Sequence, residues 1–420
     1  MFKTAAIIAE YNPFHNGHSY QIEETKKRTG ADFVLVIMSG DFVQRGTPAI
    51  FHKYARTRMA LLGGADVVLE LPVFYAGASA EYFARGAVGI LDALHAVDFL
   101  SFGSERGEIS LLLKAARSLS EEPEEYRQQL KKSLKKGLTF PAARKEALGY
   151  LLSSADNISS DARQLQALLD TPNNILGIEY CKALFSLRSN IHPVTIKRQG
   201  NAYHETQLHH SLTSASALRK ALLAPDLDNK LQNIRPFQPV SVFSYMQDML
   251  DCISPVTEED FSLLLKYSLM VQNRDSLCTF ADVSPELSNR IYKNLDNFRS
   301  FSQFAALLKT RDITHTRVNR SLLHILLSIT EKESASRPSY VRLLGFRKHA
   351  APLLRQIQDN SEIPLITKAA DYPRLLSSKG CTLFEKDLFA SDLYETVLKN
   401  KIQENFVSDL KKSPVILTSY

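Results

Sequence analysis

The first hundred residues constrain the fold more than any other part of the chain. Short runs that are apolar throughout, TAAIIA at Thr4–Ala9, ADFVLVIMS at Ala31–Ser39, ADVVLEL at Ala65–Leu71 and the segment Val97–Phe102, alternate with amphipathic stretches at His18–Arg28, Lys53–Leu62 and Ser79–Leu94. Uniformly apolar runs of this length read as strands covered on both faces, and the segments between them are long enough to be crossover helices. The pattern predicts an α/β fold, a Rossmann-like parallel sheet between helical layers, with its ligand sites at the carboxyl ends of the strands.

Beyond this region the reading changes. From Ile109 to Tyr150 the chain is helical in pattern and highly charged, with EEPEEY from Glu121 and KKSLKK from Lys131, which predicts a solvated helical insert over about 109–170. A helix at Asn174–Leu187, a strand at Pro193–Lys197 and a helix at Ser214–Leu223 resume the alternation. The stretch APDLDNK, beginning at Ala224, marks an expected boundary between a catalytic domain over 1–225 and a mainly α-helical domain over 226–420.

Several classes are excluded early. With 44% hydrophobic and 23% charged residues, a 420-residue chain has the make-up of globular protein and enough length for a full core. Cys181, Cys252, Cys278 and Cys381 are isolated and form no CxxC pair, so neither a zinc ribbon nor a disulfide framework is expected. No metal site of the protein's own is expected either. Met1–Ala9 reads as a first strand interrupted by Glu10, and no apolar run approaches the roughly 18 residues of a membrane span. A cytoplasmic protein with no membrane partner is the expectation.

The formal net charge of +6 is concentrated. Arg290–Arg355 holds thirteen Lys and Arg against four Asp and Glu, interleaved with Tyr292, Phe298, Phe301, Phe304, Tyr340 and Phe346. Cations beside stacking platforms suit RNA, whereas the same residues could equally form a helical core with a solvated face. Arg317, Arg320, Arg342 and Arg347 are the candidate RNA contacts.

The segment IAEYNPFHNGHSY, Ile8–Tyr20, carries the chemistry. A strand ends near Glu10, a turn with Pro13 follows, and His15-Asn16-Gly17-His18 leads into a helix. Gly17 lets a nucleotide approach the backbone, and the helix N-terminus offers N–H groups and a positive dipole end to phosphate. His15 and His18 can donate to phosphate oxygens as charge develops during attack at the α-phosphorus, which makes them the candidate catalytic pair. Gly103, placed just past the strand Val97–Phe102, allows close approach; Asn173 is a helix N-cap or a nucleotide contact; Arg198, directly after a strand, can neutralise phosphate. Ser214, Ser216 and Arg219 in TSASALR can hold departing pyrophosphate at a helix start. Asp41, Gln44, Arg45, Lys53 and Arg56 form a looser cluster that shapes a substrate pocket, meets the RNA end of the site, or is a polar structural loop.

HNGH after a first buried strand is similar to the HIGH-type signature of the nucleotidyltransferase superfamily, and TSASALR resembles its second signature. The longer series AEYNPFHNGH, SGDFVQRGTPAIFHKYARTRMALLGGADVVLELP, LSFGSE, TPNNILGIEYCKAL, TIKRQG and SASALRKAL resembles, in order, the bacterial tRNA(Met) cytidine acetate ligase family. That resemblance implies a nucleotidyltransferase (HUP-type) fold. It also implies activation of acetate by ATP, accompanied by Mg2+, as acetyl-adenylate, and transfer of the acetyl group to the N4 amine of the wobble cytidine of elongator tRNA(Met). It places ATP against Ile7, Ile8, Ala9, Glu10, Tyr11, Asn12, Pro13, Phe14, His15, Asn16, Gly17, His18, Ser19 and Tyr20, with Gly103, Asn173 and Arg198 as further contacts, and leaves open whether Asn174 shares the role of Asn173. It makes the four arginines of the basic stretch candidate tRNA contacts. Two other readings compete: a small-molecule adenylyltransferase acting on a nucleotide or pantetheine phosphate, and a non-catalytic RNA-binding protein on a nucleotide fold.

Overall fold

The computed structural model describes residues 2–138, 140–153, 168–198, 214–223 and 226–418. Its first half runs β1 (Thr4–Ala9), α1 (Asn16–Thr29), β2 (Phe33–Ser39), a short hairpin β3 (Phe42–Val43) and β4 (Thr47–Pro48), α2 (Lys53–Leu62), β5 (Val67–Leu71), α3 (Val73–Ala76), α4 (Ala80–Ala93) and β6 (Phe99–Ser104). The charged insert folds as α5 (Ile109–Glu121), α6 (Glu124–Lys135) and α7 (Phe140–Ser153), while its part over 154–167 lies outside the described residues. Then come α8 (Pro172–Leu187), β7 (His192–Lys197) and α9 (Ala215–Leu222).

The predicted parallel sheet is present. β1 pairs in parallel with β2 on one side and β6 on the other; β2 pairs with β5 and β6 with β7, all parallel. Period-two alternation divides the core. Ala6, Ile8, Leu35, Ile37 and Leu69 pack on one face, whereas Ile7, Val34, Val36, Met38 and Val68 pack on the other. Both sets are buried, which is why these strands carry no polar alternation.

The chain beyond 225 is mainly helical, as expected, but it does not stand apart. It supplies β8 (Val341–Arg347), β9 (Leu365–Ile366) and β10 (Val415–Leu417), and the sheet order is β10-β8-β5-β2-β1-β6-β7 with β9 beside β8. β8 runs antiparallel to β5, so the sheet is mixed at this edge. The two halves thus share one sheet across the expected boundary at 225, and without β8 the apolar strand β5 would present an open edge. A buried ionic cluster reinforces the junction. Lys53 Nζ on α2 donates to Glu70 Oε1 of β5 (2.7 Å) and to Asp409 Oδ2 (2.8 Å), and Arg342 of β8 also donates to Asp409.

The β3–β4 hairpin also leans on the second half. Gly46, at its turn, has φ +75°, and a Cβ there would collide with the backbone of Asn319 and Arg320 in helix His315–Leu326. Gly46→Ala is expected to destabilise the protein by about 1–2 kcal/mol from the left-handed backbone alone, with the collision adding to it. Urea unfolding of the variant and the parent measures this cost.

Candidate active site

Consecutive strands pass from β1 through β2 to β5 in one direction, and the chain then returns to place β6 and β7 on the other side of β1. The order therefore reverses between β1 and β6, where the carboxyl ends of neighbouring strands leave a crevice. A cleft of about 210 Å3 occupies it. Ile8, Ala9, Glu10, Tyr11, Asn12, His15 and His18 of the motif line one side; Gly103, Asn173, Arg198, Ser214, Ser216 and Arg219 converge from β6, α8, the end of β7 and α9. Residues far apart in sequence thus meet at one crevice. Ile7, Pro13, Phe14, Asn16, Gly17, Ser19 and Tyr20 are not part of the lining. Ile7 and Phe14 are buried in the core, Asn16 Nδ2 donates to Pro236 O, and Ser19 Oγ donates to Gly63 O.

The two histidines build the start of α1. His15 is the N-cap, and its Nδ1 accepts the N–H of Gly17 (3.1 Å); the His15 N–H in turn donates to His18 Nδ1 (3.2 Å). This is a reciprocal capping arrangement made by two imidazoles. Because each Nδ1 accepts a backbone proton, each neutral ring must carry its own proton on Nε2, the remaining donor. Burial, with Arg198 second, lowers His15 to about 3. Burial, then His15 and Arg198, lowers His18 well below the ordinary histidine range. The rings stack with centroids 3.7 Å apart, which neutral rings tolerate better than two cations. The pair is therefore a set of two neutral N–H donors with a fixed tautomer.

The other elements hold this geometry in place. Arg219 Nη1 donates to Asn12 O (2.7 Å) and Nη2 to Ser216 Oγ (3.1 Å), tying α9 to the motif loop. Ser214 caps α9 by accepting from Ala217 N–H (3.2 Å). Glu10 Oε1 accepts from Gln44 N–H (2.9 Å), bringing the β3–β4 hairpin over the cleft, where Val43, Gln44, Arg45 and Thr47 line it. The Tyr11 hydroxyl is buried and has no hydrogen-bond partner among the described residues; burial raises its pKa. A buried orphan hydroxyl in a cleft wall is a group that a bound ligand can satisfy.

Three local expectations are refined. Gly103 lies inside β6, paired with Ile196, with the Arg198 side chain crossing its open face. Asn173 is not the N-cap of α8, a position held by Thr171; its Nδ2 donates to Glu105 Oε1 (2.7 Å) at the cleft wall. Asn174 is buried, its Oδ1 accepting from Glu105 N–H (3.1 Å) and its Nδ2 donating to Thr171 Oγ1, so it braces the wall behind Asn173.

Most of the remaining candidates serve the structure in other places. Lys53 belongs to the buried ionic cluster, and Arg56, wholly buried, donates to the carbonyls of Phe51, Glu10, Ser39 and Gly40; Asp41 Oδ1 accepts from Lys53 N–H. None of these three lines the cleft, unlike Gln44 and Arg45. Among the expected RNA contacts, Arg342 is 3% exposed and committed to Asp409 and Tyr54. Arg320 is 9% exposed and its Nε donates to Asp282 Oδ2 (2.9 Å). Arg347 donates twice to Leu61 O at the end of α2, and its N–H bonds Asp66 O just before β5, at the end of the strands opposite the cleft. Arg320 and Arg342, buried and ion-paired, present little surface to RNA, whereas Arg347 stays half-buried. Arg317 and Arg347 keep partly exposed side chains with no ion pair among the described residues, but only Arg347 is tied to a carbonyl. Phe83, Phe102, Leu176 and Tyr180 also line the cleft and were not anticipated, since apolar residues in apolar runs read as core.

A mixed α/β sheet with a neutral histidine pair at its switch point defines a HIGH-type nucleotidyltransferase, and the family model described as HIGH Nucleotidyl Transferase matches residues 2–409. Among curated proteins, the chain is 41% identical over 396 residues to the tRNA(Met) cytidine acetate ligase of Thermoanaerobacter sp. (strain X514), covering 94% of this chain and 95% of that one. It is also 41% identical over 406 residues to that of Acetivibrio thermocellus, with 95% and 96% covered. The chain belongs to the tRNA(Met) cytidine acetate ligase family. Among solved structures, Thermotoga maritima TmcAL superposes with a TM-score of 0.92 in an apo form and 0.90 in a form bound with alpha-thio ATP, at 30% identity over 99% of this chain and all of that one.

Proposed function

We propose that this protein activates acetate with ATP and transfers the acetyl group to the N4 amine of the wobble cytidine of elongator tRNA(Met). The observation that carries the first step is the pair of neutral Nε2–H donors at the N-terminus of α1, in the crevice at the sheet's switch point, and a relative of the same fold is described bound with an ATP analogue. An acetate oxygen attacks the α-phosphorus, the bond to the β-phosphate's bridging oxygen breaks, and pyrophosphate leaves. His15 and His18 donate to the α-phosphoryl oxygens as their charge redistributes, while Arg198 and the α9 start with Ser214, Ser216 and Arg219 receive pyrophosphate. Catalysis then rests on positioning and electrostatics, with no protein nucleophile. In the second step the cytidine amine attacks the acetyl carbonyl, AMP departs, and the amine loses one proton. The names of the relatives support this reading over the adenylyltransferase and non-catalytic alternatives.

Mg2+ enters this proposal on the triphosphate, for among the described residues no group of three or more His, Cys, Asp or Glu is disposed to hold a metal ion. None of the described helices is long and apolar enough to cross a membrane, and we place the reaction in the cytoplasm, with tRNA.

The decisive experiment incubates protein, ATP, labelled acetate and total bacterial tRNA, then digests the RNA and examines its nucleosides by mass spectrometry. N4-acetylcytidine is the expected product; its absence with active protein and cognate tRNA would falsify the proposal. The histidine chemistry also has a pH signature. Since both rings are held neutral, acetate-dependent ATP–pyrophosphate exchange is expected to show no histidine inflection between pH 5 and 8, His15 taking a proton only as pH falls toward about 3. An inflection near pH 6.5 that disappears on replacing His18 contradicts the tautomer argument.

A further inference from the structure

With Arg320 and Arg342 buried in internal ion pairs, the exposed cations of the basic stretch lie around Lys293, Lys309, Arg311 and Arg317. A polar hollow of about 720 Å3 opens between helix Pro285–Asn294 and the segment leading into helix His315–Leu326. Its lining includes Asn289, Lys293, Thr310 and Arg317. Arg290 forms its floor, donating to the carbonyls of Leu307 and Leu308. Lys293 is exposed and forms no ion pair among the described residues; Arg317, half-buried, makes no direct ion pair among them, though its charge acts on Asp282 and Glu286; exposed Lys309 and Arg311 stand close by in the chain. The acidic residues Glu286 and Asp312 also border it, so the charge is graded rather than uniform.

The hollow and the active-site cleft are linked through this helix and the β3–β4 hairpin. The β3–β4 hairpin, whose Gln44 and Arg45 line the cleft, rests through Gly46 directly on Asn319 and Arg320. Arg317 lies one turn before Arg320 on that helix, about 5 Å along its axis. RNA emerging from the cleft over the hairpin would run onto this helix, whose Arg317 borders the hollow.

Resting on the reading that the substrate is tRNA, we infer that this hollow binds the single-stranded RNA flanking the target cytidine. Lys293 and Arg317 take consecutive phosphates, and the Asn289 amide and Thr310 hydroxyl offer partners for a base edge or a 2′-hydroxyl. RNA fits better than an acidic protein because the cations sit among amide and hydroxyl groups, and because the hollow continues the path from the site of base modification.

The test measures tRNA affinity of the full-length protein against salt. Lys293→Gln with Arg317→Gln removes two phosphate contacts and is expected to weaken binding at least tenfold near 0.1 M salt, with a log–log salt slope shallower by about 1.4. Lys293→Arg with Arg317→Lys, which keeps both charges, is expected to retain the parent slope. A second measurement needs no variant: tRNA should shield Lys293 of the parent protein from an amine-acylating ester, whereas poly-glutamate of equal charge should not. Unchanged slope, or Lys293 labelled equally with and without tRNA, overturns the inference, and shielding by poly-glutamate assigns the hollow to an acidic protein instead. If the parent protein does not bind tRNA at all, the functional proposal fails and not merely the location of its RNA surface.

Discussion

Replacing His18 with asparagine is expected to leave the protein folded and to lower acetate-dependent ATP–pyrophosphate exchange by about 10²–10³-fold. The reasoning is specific to the cap. Asparagine's Oδ1 can stand where His18 Nδ1 stands and accept the His15 N–H, so the start of α1 survives, while the Nε2 donor is gone. His18→Ala loses both and should add a helix-cap cost of about 0.5–2 kcal/mol to the same catalytic defect. A wild-type exchange rate in folded H18N, its fold verified by circular dichroism and thermal melting, removes the histidine from the reaction.

Asp409→Asn is the second large effect, and it concerns stability. Asp409 accepts from Lys53 and Arg342 in a cluster that also holds Glu70, with all four side chains at most 5% exposed. Burial works against Asp409's charge, yet Lys53 and Arg342 hold its carboxyl below the usual carboxylate range. Removing the carboxylate leaves two buried cations facing one anion, and breaking such a cluster is expected to cost about 3–5 kcal/mol. Denaturant unfolding measures it. Lys53→Met should cost a similar amount, and Lys53→Met combined with Asp409→Leu less than the two summed, because the charges leave together. Additive costs would mean that these side chains act independently.

Both predictions turn on residues whose roles the sequence conveyed unequally. The strands β1, β2, β5 and β6 were legible because full burial strips them of polar residues, and the motif was legible because HNGH sits directly after β1. The convergence of Gly103, Asn173, Arg198 and Arg219 follows from topology, so the resemblance named these residues but spacing alone could not bring them together. β8 was hidden by its arginines. VRLLGFR reads as part of a basic helical stretch, yet Arg342 points into a buried acidic pair and Arg347 caps a helix. Charge counted along the chain says how many cations there are; it does not say which are already neutralised by distant partners such as Asp409. Lys53's structural role was undecidable for the same reason, since its carboxylate partners are 17 and 356 residues away.

The placement of β8 between β5 and β10 has a consequence for how the protein is made. A ribosome will have released the whole nucleotide-binding motif, and every strand that frames the cleft, more than a hundred residues before it delivers the strand that closes the sheet's edge. Until then the apolar backbone of β5 is available to any other nascent strand. A messenger truncated after codon 225 should therefore yield an aggregating product rather than a small working enzyme, so that only near-complete synthesis produces active protein.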